Sequence, residues 1–331
     1  MKRTALVLAA LAALALPATA EPVKLRISWS TTPSHITPLL PEIPKEVYKH
    51  WGQSYVIEPI FIAGSGPMLT ALAAGETEIA GHGYQSFALS VINAKLENRA
   101  FVGLFASKPP NADNGFWVHA DGPIKKVEDL KGKRAAVNAR GGGVDASLRK
   151  MLKDHGLEDG RDYQIVEVRF SAMLASLEDN RVDMAFLPLP FDLQAEKNPK
   201  FKQLFTMRDA LGENETVVWG AKAEFIAKNR AAMVDMVEDN IRARAWLADP
   251  KNHEAVLKIL TKVTKIPEDQ YRGWVFTQKD TYRSPDASFD PALLQKNLDD
   301  LYKLGVTPGT IDVARYSDLS LVADAKKRLG M

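Results

Sequence analysis

Apolar and polar positions alternate in "VKLRISWS" (Val23 to Ser30), the period of a half-buried strand. "ITPLLPEIPKEVYKHWG" follows with apolar residues at helical spacing and prolines through its first half, which predicts a helix with a ragged start. A second strand, "YVIEPIFI", runs into "AGSGPM". After it, "LTALAAGETEIAGHGYQS" predicts a short helix, a glycine break, a short strand and a loop. "NGFWVHADGPIKKVEDLKGKRAAVNARGGG" reads as a strand, a charged turn and helix, then a buried strand. "YQIVEVRF" is a further strand, and "ETVVWGAKAEFIAKN" begins with one that returns the chain. From Arg230 onward the pattern is mainly helical, through "AAMVDMVEDNIRARAWLA", "HEAVLKILTKVT", "PEDQYRGWVF" and "PALLQKNLDDLYKLG". Helices set between strands predict an α/β architecture.

The pattern also repeats. "MLTALAAGETEIA" (Met68 to Ala80) aligns without gaps on "MLASLEDNRVDMA" (Met173 to Ala185), an offset of 105 residues from 68 to 173. Leu72 falls on Leu177, Glu78 on Asp183 and Ala80 on Ala185, and each stretch follows a strand. Two similar α/β units predict a hinged molecule with one ligand between them.

The ends and the composition narrow this picture. Lys2 and Arg3, the apolar run "ALVLAALAALAL" and the small residues Ala18-Thr19-Ala20 form the three parts of a secretory signal, with cleavage expected after Ala20. Those two basic residues account for the excess of 43 Lys+Arg over 41 Asp+Glu. Residues 21–331 are therefore balanced in charge, unlike a nucleic-acid or anionic-membrane binder. The chain has no cysteine, which excludes disulfides, thiolate metal sites, cysteine catalysis and a lipidated cysteine. An exported globular protein of two lobes is expected, a monomer without a cofactor.

Gly141, Gly143 and Ala146 in "NARGGGVDASLRKMLKDHGL" fit the G-x-G-x-x-G/A turn of dinucleotide-binding folds, and Glu167 ends the next strand near the expected ribose position. The turn lies mid-chain, however, behind the first copy of the repeated unit, and an exported protein meets no pool of NAD. There is no G-x-S-x-G elbow. His35, His50, His82, His119, His155 and His253 are scattered without metal-binding spacing. A binding protein is therefore expected rather than an enzyme.

"PIKKVEDLKGKRAAVN", the glycine turn, "LRKMLKDHGL" and "RVDMAFLPLPF" together resemble the second lobe of nitrate/taurine/sulfonate-type solute-binding proteins, which are type II periplasmic binding proteins serving ABC importers. "GSGPMLTALAAGETEIAGHGYQSFA" resembles their first lobe. The resemblance implies two α/β lobes, each a mainly parallel sheet flanked by helices, joined by two crossover strands. It places lobe I at 21–114 plus 220–331 and lobe II at 115–219. It further implies a periplasmic location and, as partner, an inner-membrane permease with a cytoplasmic ATPase.

In such a fold the ligand sits at the carboxyl ends of the strands. The candidates are Trp29 and Ser30 after the first strand, Ser65 and Gly66 in "GSGP", and Tyr84 and Gln85 in "GHGYQS". In the triple-glycine turn they are Gly142 and Gly143, with Arg140 offering a planar fork for carboxylate or sulfonate. Pro188 and Phe191 in "FLPLPF" would form a stiff apolar wall, with Tyr84 and Trp117 as further aromatic candidates and His82 beside the cleft. The expected ligand is a small organic anion, a sulfonate or carboxylate with an apolar or aromatic body. A thiamine-precursor pyrimidine or another heteroaromatic on the same fold is the alternative.

Overall fold

A computed structural model describes residues 21–331; the expected signal segment lies outside the described residues. The chain builds two five-stranded sheets. The first contains β1 (Val23–Trp29), β2 (Tyr55–Phe61), β3 (Ile79–Gly83), β4 (Asn98–Ser107) and β10 (Asn214–Lys222), in the order β2-β1-β3-β10-β4. The second contains β5 (Gly115–His119), β6 (Arg134–Val137), β7 (Gln164–Glu167), β8 (Met184–Leu187) and β9 (Phe201–Thr206), in the order β7-β6-β8-β5-β9. In each sheet four strands run in one direction, and the strand at the fourth position, β10 or β5, runs antiparallel to both its neighbours. The two sheets thus share one topology, and the expected two-lobed α/β class is borne out.

The repeat read from the sequence is physical. Helix α1 (Ser65–Ala74) leads into β3, and α4 (Phe170–Glu178) leads into β8, both at the same offset of 105 residues. A buttress recurs with them. Arg26 on β1 holds Glu78 and the Gly75 carbonyl, while Arg134 on β6 holds Asp183 and the Asn180 carbonyl. In both lobes the same acid also accepts the arginine's own backbone N–H at 2.8 Å. Each pair fixes the turn between helix and strand, and so the height at which the strand enters the sheet.

Three expectations fail locally, each for a backbone reason. The region from Ile36 to Trp51 is two short 3-10 turns, Thr37–Glu42 and Lys45–Val47, because Pro38, Pro41 and Pro44 each remove an N–H that an α-helix needs. "PEDQYRGWVF" likewise keeps only a 3-10 turn at Glu268–Gln270. "GHGYQS" is not a loop: Gly83 ends β3, and Tyr84 begins α2 (Tyr84–Ile92) directly. Strands β4 and β9, at corresponding edges of the two sheets, carried no expectation at all. Pro59 in β2 is accommodated because β2 is an edge strand.

The chain passes from the first sheet to the second between Ser107 and Gly115, and returns between Thr206 and Asn214 through α6 (Met207–Leu211). These passages are tied together. Arg208 reaches the Asn111 carbonyl and Ser107 with its side chain, and its backbone N–H donates to Asp113. The Met207 N–H donates to the Asn114 carbonyl. Each hydrophobic core takes residues from both lobes: Leu189 packs with the first core, and Tyr84, Phe87 and Ala88 with the second. The lobes pack against one another.

Candidate functional site

Two adjoining cavities lie between the lobes. The inner one, about 50 Å³, is walled by Phe105, Phe170 and Phe186 and by polar Ser30, Ser34, His35, Ser65, Asn114 and Asn138. The outer one, about 290 Å³, opens beside Trp29, Thr32, Phe61, Arg169, Ser171 and Phe191. Ser30, Thr31, Asn138 and Phe170 line both, so the two form one cleft with a narrow floor and a wider mouth.

The walls are built from chain ends of strands and first turns of helices. Trp29 ends β1, Ser65 begins α1, Phe170 begins α4, and Asn138 follows β6. The Ser65 hydroxyl accepts the Gly83 N–H at 3.0 Å, which leaves its own O–H to serve the cavity. The side-chain amide oxygen of Asn114 accepts the Leu189 N–H at 3.1 Å. His35 is 3% exposed, and its Nδ1 has no partner among the described residues. Burial, with the charge of Arg283 nearby, lowers its pKa to about 3, so the ring is neutral. Thr32, 7% exposed, also lacks a partner for its hydroxyl, and so does the Trp29 indole N–H. Unpaired buried polar atoms of this kind mark places where a guest or water completes the bonding.

The structure brings Trp29, Ser30, Ser65, Gly143, Pro188 and Phe191 to these cavities. It does not bring Gly66, Tyr84, Gln85, Arg140 or Gly142 to their walls. Tyr84 is fully buried, with its hydroxyl 3.4 Å from the Gly143 carbonyl, and burial raises its pKa. Gln85 is buried in α2, His82 is paired with Asn98, and Trp117 lies in the core of the second lobe. Arg140 donates to Asp159 at 2.7 Å and to the Ile165 carbonyl at 3.2 Å. Burial pushes the Asp159 carboxyl up, yet Arg140 and Arg149 hold it below its usual range. The guanidinium of Arg140 is thus committed to its own lobe.

The triple-glycine turn joins β6 to α3 (Gly143–Asp154), and its role is contact between lobes. A Cβ at Gly66 would stand 2.9 Å from the Arg140 carbonyl, and one at Gly83 would stand 2.8 Å from the Gly143 nitrogen. Ser86 donates to the Gly141 carbonyl across the same seam. Glycine at these positions lets two backbones meet without side chains between them. The turn's positive end is already served from within: Asp145 accepts the Gly141 N–H at 2.9 Å and pairs with Arg149 at 2.8 Å. Glu167, which a dinucleotide site would need for ribose, accepts the Arg140 N–H at 2.5 Å. A pyrophosphate placed there would face two carboxylates. Among the described residues no group of three or more His, Asp or Glu is placed to hold a metal.

Several wall residues were missed from sequence. Phe170 and Ser171 are the counterparts of Ser65 and Gly66 at the offset of 105, so the repeat itself carried that signal. Ser34 and His35 belong to the same strand-following loop as Ser30. Phe105, Asn114, Met207 and Thr216 come from strands and passages that no local pattern linked to the cleft.

The profile of the NMT1-like family matches residues 112–261. The nitrate/nitrite binding protein NrtA of Synechocystis is 25% identical over 137 residues, 41% of this chain and 30% of its own length. The chain thus spans under a third of that relative in the match. The solved structure of NrtA from the same organism superposes with a TM-score of 0.73 at 17% identity, covering 93% of this chain and 89% of that one. The alkanesulfonate-binding protein SsuA of Xanthomonas axonopodis pv. citri, bound to MOPS, gives 0.71 at 17% identity over 90% and 99%. The desulfurization enzyme DszB shares the fold as well, with a TM-score of 0.62 at 16% identity over 93% and 99%. The resemblance read from the sequence is borne out: the chain has the two-lobed fold of the nitrate- and sulfonate-type periplasmic binding proteins, and over residues 112–261 it carries the pattern of the NMT1-like family.

Proposed function

We propose that this chain is the solute-binding component of an ABC importer, exported to the periplasm after cleavage behind Ala20. It captures a small organic anion between its lobes and presents the closed form to an inner-membrane permease with a cytoplasmic ATPase. It performs no chemistry on its guest. The observation that carries this reading is the cleft itself, walled by aromatic rings from both lobes and by unpaired hydrogen-bonding groups of Trp29, Thr32 and His35. The hinge is assigned to the passages 108–114 and 207–213, which sets lobe I at 21–107 plus 214–331 and lobe II at 115–206. The cleft residues proposed to meet the ligand are Ser30, Ser65, Asn138, Phe170 and Phe186, with Trp29 and Phe191 at the mouth.

Binding energy then selects the closed arrangement. A second reading, a neutral pyrimidine or other heteroaromatic, draws support from the inner cavity, which has no charged side chain on its wall. The test is a thermal-shift screen of the mature protein against sulfonates, aliphatic and aromatic carboxylates, nitrate, pyrimidines and NAD(H). A true ligand at 100 times its Kd adds about 2.7 kcal/mol, which is roughly 4 °C for a chain of this size. Small-angle scattering of the same sample should show a smaller radius of gyration. Turnover of any stabilising compound, or stabilisation by NAD(H) alone, would overturn the proposal.

A further inference from the structure

Charge is distributed unevenly along the cleft. The inner cavity is lined by neutral side chains only, His35 included, and no carboxylate lines either cavity. One charged side chain lines the outer cavity, that of Arg169. Its guanidinium makes no hydrogen bond or ion pair among the described residues, whereas Arg140, Arg134 and Arg149 are each held by an acid. Arg169 is the residue before α4, so the first-turn amides of Phe170 and Ser171 add the same sign of charge beside it. Its counterpart at the offset of 105 is Gly64, and the charge therefore belongs to one side of the cleft. Behind it the wall turns aromatic at once: Phe170 lies 6.0 Å from Phe186, and Phe105 stands opposite beside His35.

We propose that Arg169 is the charge-recognition residue of this cleft and that the ligand is an aromatic monoanion, a carboxylate or sulfonate. Its ring lies in the wider outer cavity against Phe170, with Trp29 and Phe191 beside it, and its anionic group lies outward beside Arg169. The proposal rests on the solute-binding reading above. The polar floor at Ser34, His35 and Asn138 suits an uncharged substituent on the far side of the ring, such as a hydroxyl. An anion at the mouth replaces the water around an unpaired guanidinium and meets no opposing acid. An aliphatic anion would leave the rings of Trp29, Phe170 and Phe191 without a flat partner.

The experiment is calorimetry of the mature protein at low salt with benzoate, benzenesulfonate, propanesulfonate and benzamide as probes. The wild type is expected to bind benzoate or benzenesulfonate at least tenfold more tightly than benzamide and propanesulfonate. Arg169→Gln should lose the preference for anion over benzamide while benzamide affinity stays the same, and Arg169→Lys should restore part of it. Arg140→Gln should keep the preference intact. Because Arg169 is exposed and unbonded, its variants keep the fold. A benzoate preference unchanged in Arg169→Gln overturns the assignment of Arg169. Propanesulfonate binding as tightly as benzenesulfonate overturns the aromatic class. Absence of lobe closure with every compound in the wider screen overturns the solute-binding reading beneath both.

Discussion

Two arginines of the second lobe follow strands, and sequence spacing favours Arg140, whereas Arg169 is the one that lines a cavity. Arg140 stands before three glycines, a position suited to an anion, yet Asp159 of the same lobe lies 2.7 Å from it. Nothing in the local sequence reveals a partner 19 residues away. Arg169 stands before an ordinary helix and has no such partner among the described residues. A second residue-scale feature is Asp192 at the start of α5 (Phe191–Glu196). Burial, reinforced by Glu196 and by Asp280 of the other lobe, raises its pKa to about 7. A carboxyl raised in the folded state binds its proton more tightly there than in the unfolded chain. Stability therefore falls as pH rises from about 4 towards 7 and is flat above that. Asp192→Asn is expected to raise the melting temperature at pH 8 by about 1.5 °C, the effect of ~1 kcal/mol, and much less at pH 5. An equal gain at both values in paired melting curves would exclude this origin.

At the scale of elements, the sequence states its repeat more clearly than its contacts. Helix α1 with β3 and helix α4 with β8 were legible because amphipathic spacing and the strand-entry acid recur in register. The buttressing arginines, Arg26 and Arg134, were not, because each sits on a strand far from the turn it holds. The proline-rich segment was misread because apolar spacing survives in a 3-10 turn while the α-helical bonds do not. Within the cleft, positions directly after strands were readable and those contributed by the passages between lobes were not. The seam between α1 and the glycine turn yields a prediction with two opposite signs. Gly66→Ala adds a helix-favouring residue to α1, worth up to about 1 kcal/mol to the unliganded protein. In the closed form the same methyl meets the Arg140 carbonyl at 2.9 Å, an overpacking cost of roughly 1–3 kcal/mol. Ligand affinity should drop about fivefold or more while the unliganded melting temperature holds or rises. A parallel fall of both, measured by calorimetry and thermal melting, would mean the seam is no part of closure.

At the scale of the molecule, the lobes are alike in topology and unlike in how the chain supplies them. The second sheet uses β5 to β9 without interruption, from Gly115 to Thr206. The first is split: among the described residues β4 has β10 as its only sheet neighbour, and β10 also separates it from β3. Asn98–Ser107 therefore has no strand to pair with until Asn214–Lys222 exists and arrives. Pulse-labelled hydrogen exchange during refolding should find amides of β5, β6 and β8 protected before those of β4, and the reverse order would refute this. For a chain threaded outward from its amino end, assembly then runs inside out. The inserted lobe can set while the earlier-born lobe stands open as a half-sheet, its bare edge waiting for a strand still to emerge. The lobe that starts first is finished last, and that interval is when the newborn protein most needs a chaperone.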